Sequence, residues 1–134
     1  MQDAAEMARR LKLNKLVPST ILSSPARRAY ATAALFANTL HLAENQIAPD
    51  ERIYTADINE LLTIVRTSPA GDHLMLVAHN PTLTEFADKL SGERRIDALP
   101  TCGVVTMRIA VAAWSELNWH RGADVELDYP GKST

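Results

Sequence analysis

Arginine and histidine side chains follow two apolar runs of the sequence. Arg28 comes shortly after the run that ends at Leu22, and His79 comes directly after the run Leu74–Ala78. Arginine presents a planar fork of N–H donors that matches phosphate oxygens, and histidine can carry or release a proton near neutral pH. Together, these two side chains could bind a phosphate-like anion and stabilise the charge on a phosphoryl group during its transfer.

A capping residue and a proline stand beside each of these side chains. Ser24 precedes Pro25, and Asn80 precedes Pro81. Serine and asparagine accept hydrogen bonds from the free N–H groups of a helix's first turn, and proline suits that turn. We therefore expect a helix to begin at each point, with its N–H groups directed at a bound anion. Ser24 and Asn80 are candidate phosphate contacts in addition to their role as helix caps.

The pattern of apolar residues divides the chain into alternating strands and helices. Short apolar runs and alternation predict strands at 16–22, 52–55, 74–78 and 105–111, with 114–121 as an antiparallel partner of the last one. Apolar spacings of three and four predict helices at 4–11, 26–42, 58–65 and 83–90. Asp57 and Glu60 have the spacing of a capping box at the start of the third helix. The residues after 121 are expected to form a tail.

Alternating strands and helices favour an α/β fold with a mainly parallel sheet and helices on both faces. In such sheets, ligands collect at the carboxyl ends of the strands. We therefore expect Arg28 and His79 to lie at one edge of the sheet. The length of 134 residues predicts a single domain, 1–134.

Composition excludes several classes of function. Fourteen basic and sixteen acidic side chains give a net charge of -2, which offers no field to attract nucleic acid or an anionic membrane. Cys102 is the single cysteine, so it can form neither an internal disulfide nor a zinc site shared with a second cysteine. No apolar run has the length needed to span a bilayer. These features predict a cytoplasmic protein without a metal site and without nucleic-acid or membrane partners.

Two segments resemble those of a known family. Ser23–Ala33 is similar to the S-S-P-x-x-R-A-x-Q-T-A segment of the histidine phosphatase superfamily, with Ala31 in place of the usual glutamine. Val77–Pro81 is similar to the V-G-H-N-P segment of SixA-type phosphohistidine phosphatases, and the run 99–101 and Trp114 also fit that subgroup. The order and separation of these segments extend the resemblance over nearly the whole chain.

The resemblance implies a phosphoglycerate mutase-like fold and a metal-independent hydrolase with no cofactor. Such an enzyme removes a phosphoryl group from a phosphohistidine-bearing protein through a phosphohistidine enzyme intermediate. The resemblance implies that Arg28 and His79 are catalytic, and that Ser24, Arg28, His79 and Asn80 bind phosphate. The implied partner is a phosphorylated protein or a small phosphorylated substrate.

The sequence departs from the family pattern at the nucleophile. The family carries its nucleophilic histidine in an R-H-G or R-H-A segment on the first strand, whereas none of the four histidines here, His41, His73, His79 and His120, follows an arginine. The predicted first helix also starts abruptly, with no capping sequence before it. We therefore expect the chain to be N-terminally incomplete, with the first strand of the sheet missing.

Two alternatives remain open at this point. A non-catalytic module could use Arg28 and His79 to bind phosphorylated partners, or a phosphomonoesterase of the same family could act on a small molecule. Short loops favour a protein substrate, because little insertion is present to build a lid. Glu51 and Asp57 are weak candidates for a general acid, and a phosphohistidine substrate hardly requires one because its imidazole leaving group is easily protonated.

Overall fold

Helices alternate with strands in the computed structural model, which describes residues 2–69 and 71–132, except for the side chain of Gln2. The elements are α1 Gln2–Leu13, β1 Thr20–Ser23, α2 Arg27–Thr39, β2 Ile47–Pro49, α3 Arg52–Thr55, α4 Ile58–Arg66, β3 Leu74–Val77, α5 Thr82–Leu90, β4 Val104–Ile109 and β5 Gly122–Asp128. They divide into two compact units, Met1–Thr55 with Gly71–His79 and Ala56–Ala70 with Asn80–Thr134. The single domain expected from the length stays a prediction. None of the described helices has the length and apolar character needed to cross a membrane.

A parallel three-stranded sheet in the order β2-β1-β3 forms the centre of the first unit. Ser23 at the end of β1 pairs with Pro49 on one side and with Val77 on the other. The carboxyl ends of the three strands therefore lie side by side. The predicted α/β class with a parallel sheet is confirmed.

Helices α1 and α2 supply most of the remaining core of this unit. The buried residues of α1 are the apolar face predicted from the sequence, Ala4, Met7, Ala8 and Leu11. Helix α2 packs against α1 and against all three strands through Ala29, Ala33, Phe36 and Ala37. Because three of these four side chains are alanine, α2 can approach the sheet closely. This packing fixes the direction in which the start of α2 points from the end of β1.

The second unit contains α4, α5 and the antiparallel pair β4-β5. The predicted capping box at the start of α4 is confirmed: the Asp57 carboxylate accepts from Glu60 N–H at 2.8 Å, and the Glu60 carboxylate accepts from Asp57 N–H at 3.1 Å. Helices α4 and α5 pack together, and Ala87 of α5 joins Ile96 and Val125 in a buried cluster.

The prediction of a strand at 52–55 is wrong, because these residues form the helical turn α3. Asp50 causes the turn: its carboxylate accepts from Arg52 N–H at 2.9 Å, and its carbonyl accepts from Ile53 N–H at 3.1 Å. Side-chain bonds of this kind replace the extended backbone with a turn. The strand in this region is the preceding segment, β2, which the sequence analysis missed.

The antiparallel partner of β4 also lies elsewhere than predicted. Residues 114–121 contain a short 3-10 turn, and β5 at 122–128 makes the pairing, in the region expected to be a tail. In β5, Ala123, Val125 and Leu127 alternate with acidic residues. That alternation is the signal of a half-buried strand, but aspartate and glutamate are disfavoured in strands and obscured it.

Two predicted elements are shorter in the structure. Strand β1 begins at Thr20 rather than Leu16, because the Leu16 N–H bonds to a carbonyl in the last turn of α1. Helix α2 ends at Thr39 rather than Leu42, since His41 takes up a left-handed conformation with φ of 60°. Neither change moves the residues at the carboxyl ends of the strands.

Asp57→Ala removes the side chain that caps α4 in the second unit. We expect the free energy of unfolding to fall by about 1 kcal/mol, the usual cost of losing such a cap. Urea denaturation followed by circular dichroism measures the change. Asn59→Ala, on an exposed position of the same helix, is the control and should change stability little. Equal effects of the two substitutions would contradict the capping role.

Candidate active site

A buried serine ends strand β1, and a second buried serine follows it. Ser23 and Ser24 are both 0% exposed, and the Ser24 N–H donates to the Val77 carbonyl of β3 at 2.9 Å. The Ser23 hydroxyl donates to the Ser24 carbonyl at 2.8 Å. The end of β1 is thus bonded directly to the end of β3. This hydrogen bond fixes the distance between the residues that follow β1 and those that follow β3.

His79 follows β3 by two residues and meets Ser24. Its Nε2 lies 2.7 Å from the Ser24 hydroxyl oxygen, and its side chain is half-buried. The ring of Tyr54 stands beside it, with the two ring centroids 5.5 Å apart and the planes tilted by 46°. The structure therefore brings together two of the predicted site residues, although their roles stay predictions. Tyr54 was missed, because no local sequence pattern connects α3 with the end of β3.

Ser24 does not cap α2 in the predicted way. The helix begins at Arg27 with Ala26 as its N-cap, and no side chain caps it. The Ser24 hydroxyl instead accepts from the Ala26 N–H at 3.2 Å, which stabilises the turn before the helix. The N–H groups in the first turn of this 13-residue helix therefore have no side-chain partner among the described residues, and they carry the positive partial charge of a helix start.

Arg28 lies in that first turn and is exposed. Among residues 2–69 and 71–132, no side chain or carbonyl forms a hydrogen bond or ion pair with its guanidinium. No described residue therefore occupies its N–H donors. Arg28 follows Ser24 by four residues, and Ser24 is the residue after β1 that contacts His79.

Asn80 belongs to the second unit, where its capping role is clear. Its side-chain oxygen accepts from the N–H and from the hydroxyl of Thr84, at 3.1 Å and 2.7 Å. Helix α5 begins at Thr82 with Pro81 as the N-cap, so Asn80 caps it from one residue further out. The predicted contact of Asn80 with phosphate stays a prediction.

An ion pair at the end of β2 adds a fixed carboxylate to this edge of the sheet. The Asp50 N–H donates to the Ser23 carbonyl at 2.9 Å, so Asp50 lies next to the end of β1. The Arg52 guanidinium donates to both Asp50 oxygens at 2.6 to 3.1 Å and holds the pKa of that carboxyl below its ordinary value of 3.8. Asp50 is therefore ionised at neutral pH and cannot act as a general acid. This pair was not predicted from the sequence.

The roles of the two weak candidates for a general acid stay predictions. Glu51 is exposed at the start of the turn that forms α3, and Asp57 caps α4 in the second unit. Within the described part of the chain, no three histidine, cysteine, aspartate or glutamate side chains are grouped so that they could hold a metal ion.

Solved structures share this fold, whereas no protein-family model and no curated protein matches the chain. A protein from Nakamurella multipartitia assigned as the phosphohistidine phosphatase SixA has 17% identity and a TM-score of 0.81, with 98% of this chain and 81% of that chain covered. The protein histidine phosphatase SixA in complex with tungstate has 16% identity and a TM-score of 0.69, with 96% and 77% covered.

A protein from Agrobacterium tumefaciens, also assigned as SixA, has 23% identity and a TM-score of 0.71, with 92% and 76% covered. At this level of identity the likeness concerns the fold. This chain therefore has the fold of SixA-type histidine phosphatases.

Asp50→Asn tests the ion pair through the pH dependence of stability. Because the folded-state pKa of Asp50 lies below 3.8, its contribution is present above that pH and is lost as the pH falls from 3.8 through the folded-state pKa. We expect the variant to be less stable than the native protein at neutral pH, and this difference to shrink in acid. Urea denaturation at a series of pH values measures it.

Asp72→Asn is the matched control, because Asp72 is exposed and has no ion pair with a described residue. It should follow the native pH profile. If the free energy of unfolding of Asp50→Asn stayed below that of the native protein by the same amount in strong acid, the pair with Arg52 would contribute nothing to stability.

Proposed function

We propose that this chain belongs to a phosphohistidine phosphatase, in which Arg28 and His79 act on the phosphoryl group of a phosphorylated protein. The observation that carries the proposal is the contact between His79 and Ser24, at the carboxyl ends of two adjacent parallel strands and four residues before Arg28. Ligand sites in sheets of this kind occur at that edge.

The two side chains offer complementary interactions to a phosphoryl group. Arg28 has a guanidinium without a partner among the described residues, and its N–H groups can donate to two oxygens at once. His79 has one ring nitrogen engaged by Ser24 and the other without a partner among the described residues, so it can form one directed bond to the same group. Donors held in place before the reaction stabilise charge that develops during transfer.

Phosphohistidine as the substrate is supported by the likeness to structures described as phosphohistidine phosphatases, one of which holds tungstate, an oxyanion. The chemistry of the edge agrees with it. Asp50 is held ionised by Arg52 and offers no proton, and an imidazole leaving group needs little help from an acid. A phosphate ester would require a general acid at this site, because its alkoxide leaving group must receive a proton.

The phosphoryl acceptor in this proposal is supplied by residues that the sequence does not contain. None of the four histidines has an arginine before it, and His79 already has its Nε2 bonded to Ser24. His41 follows α2, and His73 and His120 precede β3 and β5, so none of the three follows the carboxyl end of a strand in the parallel sheet.

The absence of an Arg-His pair from the sequence also favours a second candidate function, a module that binds phosphorylated partners without catalysis. Arg28, His79 and the start of α2 would suffice for such binding. Binding assays cannot separate the two functions, but hydrolysis can.

Tungstate binding tests the shared part of both functions. Isothermal titration of the native chain should show binding, and Arg28→Ala should weaken it about 10- to 100-fold, as expected for the loss of charge-assisted hydrogen bonds. Arg27→Ala is the matched control, since Arg27 is an exposed arginine next to Arg28 on the same helix. Equal losses in the two variants would reduce the effect to general charge and contradict the assignment of Arg28.

Hydrolysis of a phosphohistidine peptide tests catalysis. We expect this chain to be inactive, and a form extended by the in-frame codons upstream of Met1 to be active if they encode an Arg-His pair. Equal activity of the two forms would refute the assignment of the acceptor. Tungstate binding without hydrolysis by either form would favour the binding module, and preference for an aryl phosphate over the peptide would favour a small-molecule phosphomonoesterase.

A further inference from the structure

The Ser24 hydroxyl is buried and has two polar neighbours. A serine hydroxyl has one proton to donate and two lone pairs that accept. The Ala26 N–H donates to it at 3.2 Å and so occupies one lone pair. The remaining neighbour is Nε2 of His79 at 2.7 Å, and Ser24 has no other side-chain partner in the described part of the chain.

The neighbours of the Ser24 hydroxyl decide which group donates in its hydrogen bond with His79. A buried hydroxyl that donates to nothing loses its bond to water without compensation. The backbone N–H of Ala26 cannot accept, so the lone pair of Nε2 is the only hydrogen-bond acceptor that residues 2–69 and 71–132 offer to the Ser24 proton. The hydroxyl therefore donates, and Nε2 accepts.

A nitrogen that accepts carries no proton. In the neutral imidazole the single ring proton must then be on Nδ1, because the partner of one ring nitrogen decides which tautomer is present. Nδ1 has no hydrogen-bond partner among the described residues. It also reaches solvent, since Ser68 Oγ is the only side-chain nitrogen or oxygen atom in that part of the chain that is both buried and unpartnered.

We infer that Ser24 is a positioning residue, which holds His79 as the Nδ1–H tautomer and directs that N–H at a bound oxyanion. The identity of the ligand rests on the proposed function, whereas the tautomer does not. In the opposite tautomer, Nδ1 would present a lone pair to the oxyanion and repel it. The Tyr54 ring, whose centroid lies 5.5 Å from that of the imidazole, packs beside one side of the His79 ring.

Long-range ¹H–¹⁵N spectra of the native chain, with labelled histidine, test the inference directly. At a pH where the imidazoles are neutral, we expect the His79 signal to show a protonated Nδ1 and an unprotonated Nε2. His79→Gln identifies that signal by its loss. An Nε2–H pattern in the native protein would overturn the inference, whatever the variants do.

Variants of Ser24 show whether the hydroxyl is the cause. Ser24→Thr keeps the donor and should keep the Nδ1–H pattern, whereas Ser24→Ala should shift His79 towards the Nε2–H form. Ser23→Ala is the matched control, because Ser23 is equally buried and its hydroxyl bonds to a carbonyl. A fully Nδ1–H pattern in folded Ser24→Ala would overturn the role of the hydroxyl. Should Ser24→Ala not fold, the native and threonine spectra decide.

Tungstate titration connects the tautomer with the ligand. Ser24→Ala should bind about tenfold more weakly, a change that corresponds to the loss of one directed hydrogen bond, and Ser24→Thr should bind nearly as the native chain does. Failure of the native chain to bind tungstate would refute the proposed function and leave the tautomer standing. Normal binding together with an Nε2–H spectrum would refute the inference and leave the proposed function standing.

Discussion

Parallel pairing of β1 with β3 in a single register is the constraint on which the candidate site depends. Ser23 pairs with Val77, Ser24 is the next residue after β1, and His79 follows the end of β3 by two residues. A slip of one residue would turn every side chain of a strand to the opposite face of the sheet. The 2.7 Å contact between Ser24 and His79 would then be lost, although the sequence around each residue would be unchanged.

The residues at the carboxyl ends of β1 and β3 could be predicted from the sequence because the patterns that mark them are local. Apolar runs end at Leu22 and at Ala78, and each is followed by a predicted capping residue, a proline and an amphipathic helix, all of which can be recognised without the rest of the chain. The contacts made by Ser24 and His79 could not be predicted in this way. These residues are 55 positions apart, and only the register of two strands determines which of their atoms meet.

The errors in the second unit and around β2 have a different cause. Acidic residues between Ala123, Val125 and Leu127 lowered the apparent tendency of β5 to form a strand, although their side chains point away from the buried face. At Asp50, a single side-chain bond to the following backbone converted an expected strand into a helical turn. In both cases, tertiary or side-chain bonding outweighed the average preference of the residue types.

The pairing of Asp50 with Arg52 bears on how an anion could be accepted at this edge. A free carboxylate beside the end of β1 would repel an incoming phosphoryl group and would compete for Arg28. Here both Asp50 oxygens are bonded to Arg52, two residues along the chain, so the negative charge is compensated locally. Arg28 is left without a protein partner in the described part of the chain, and the start of α2 adds positive partial charge beside it. Arg52 thus satisfies the carboxylate, and in the proposed function Arg28 binds the ligand.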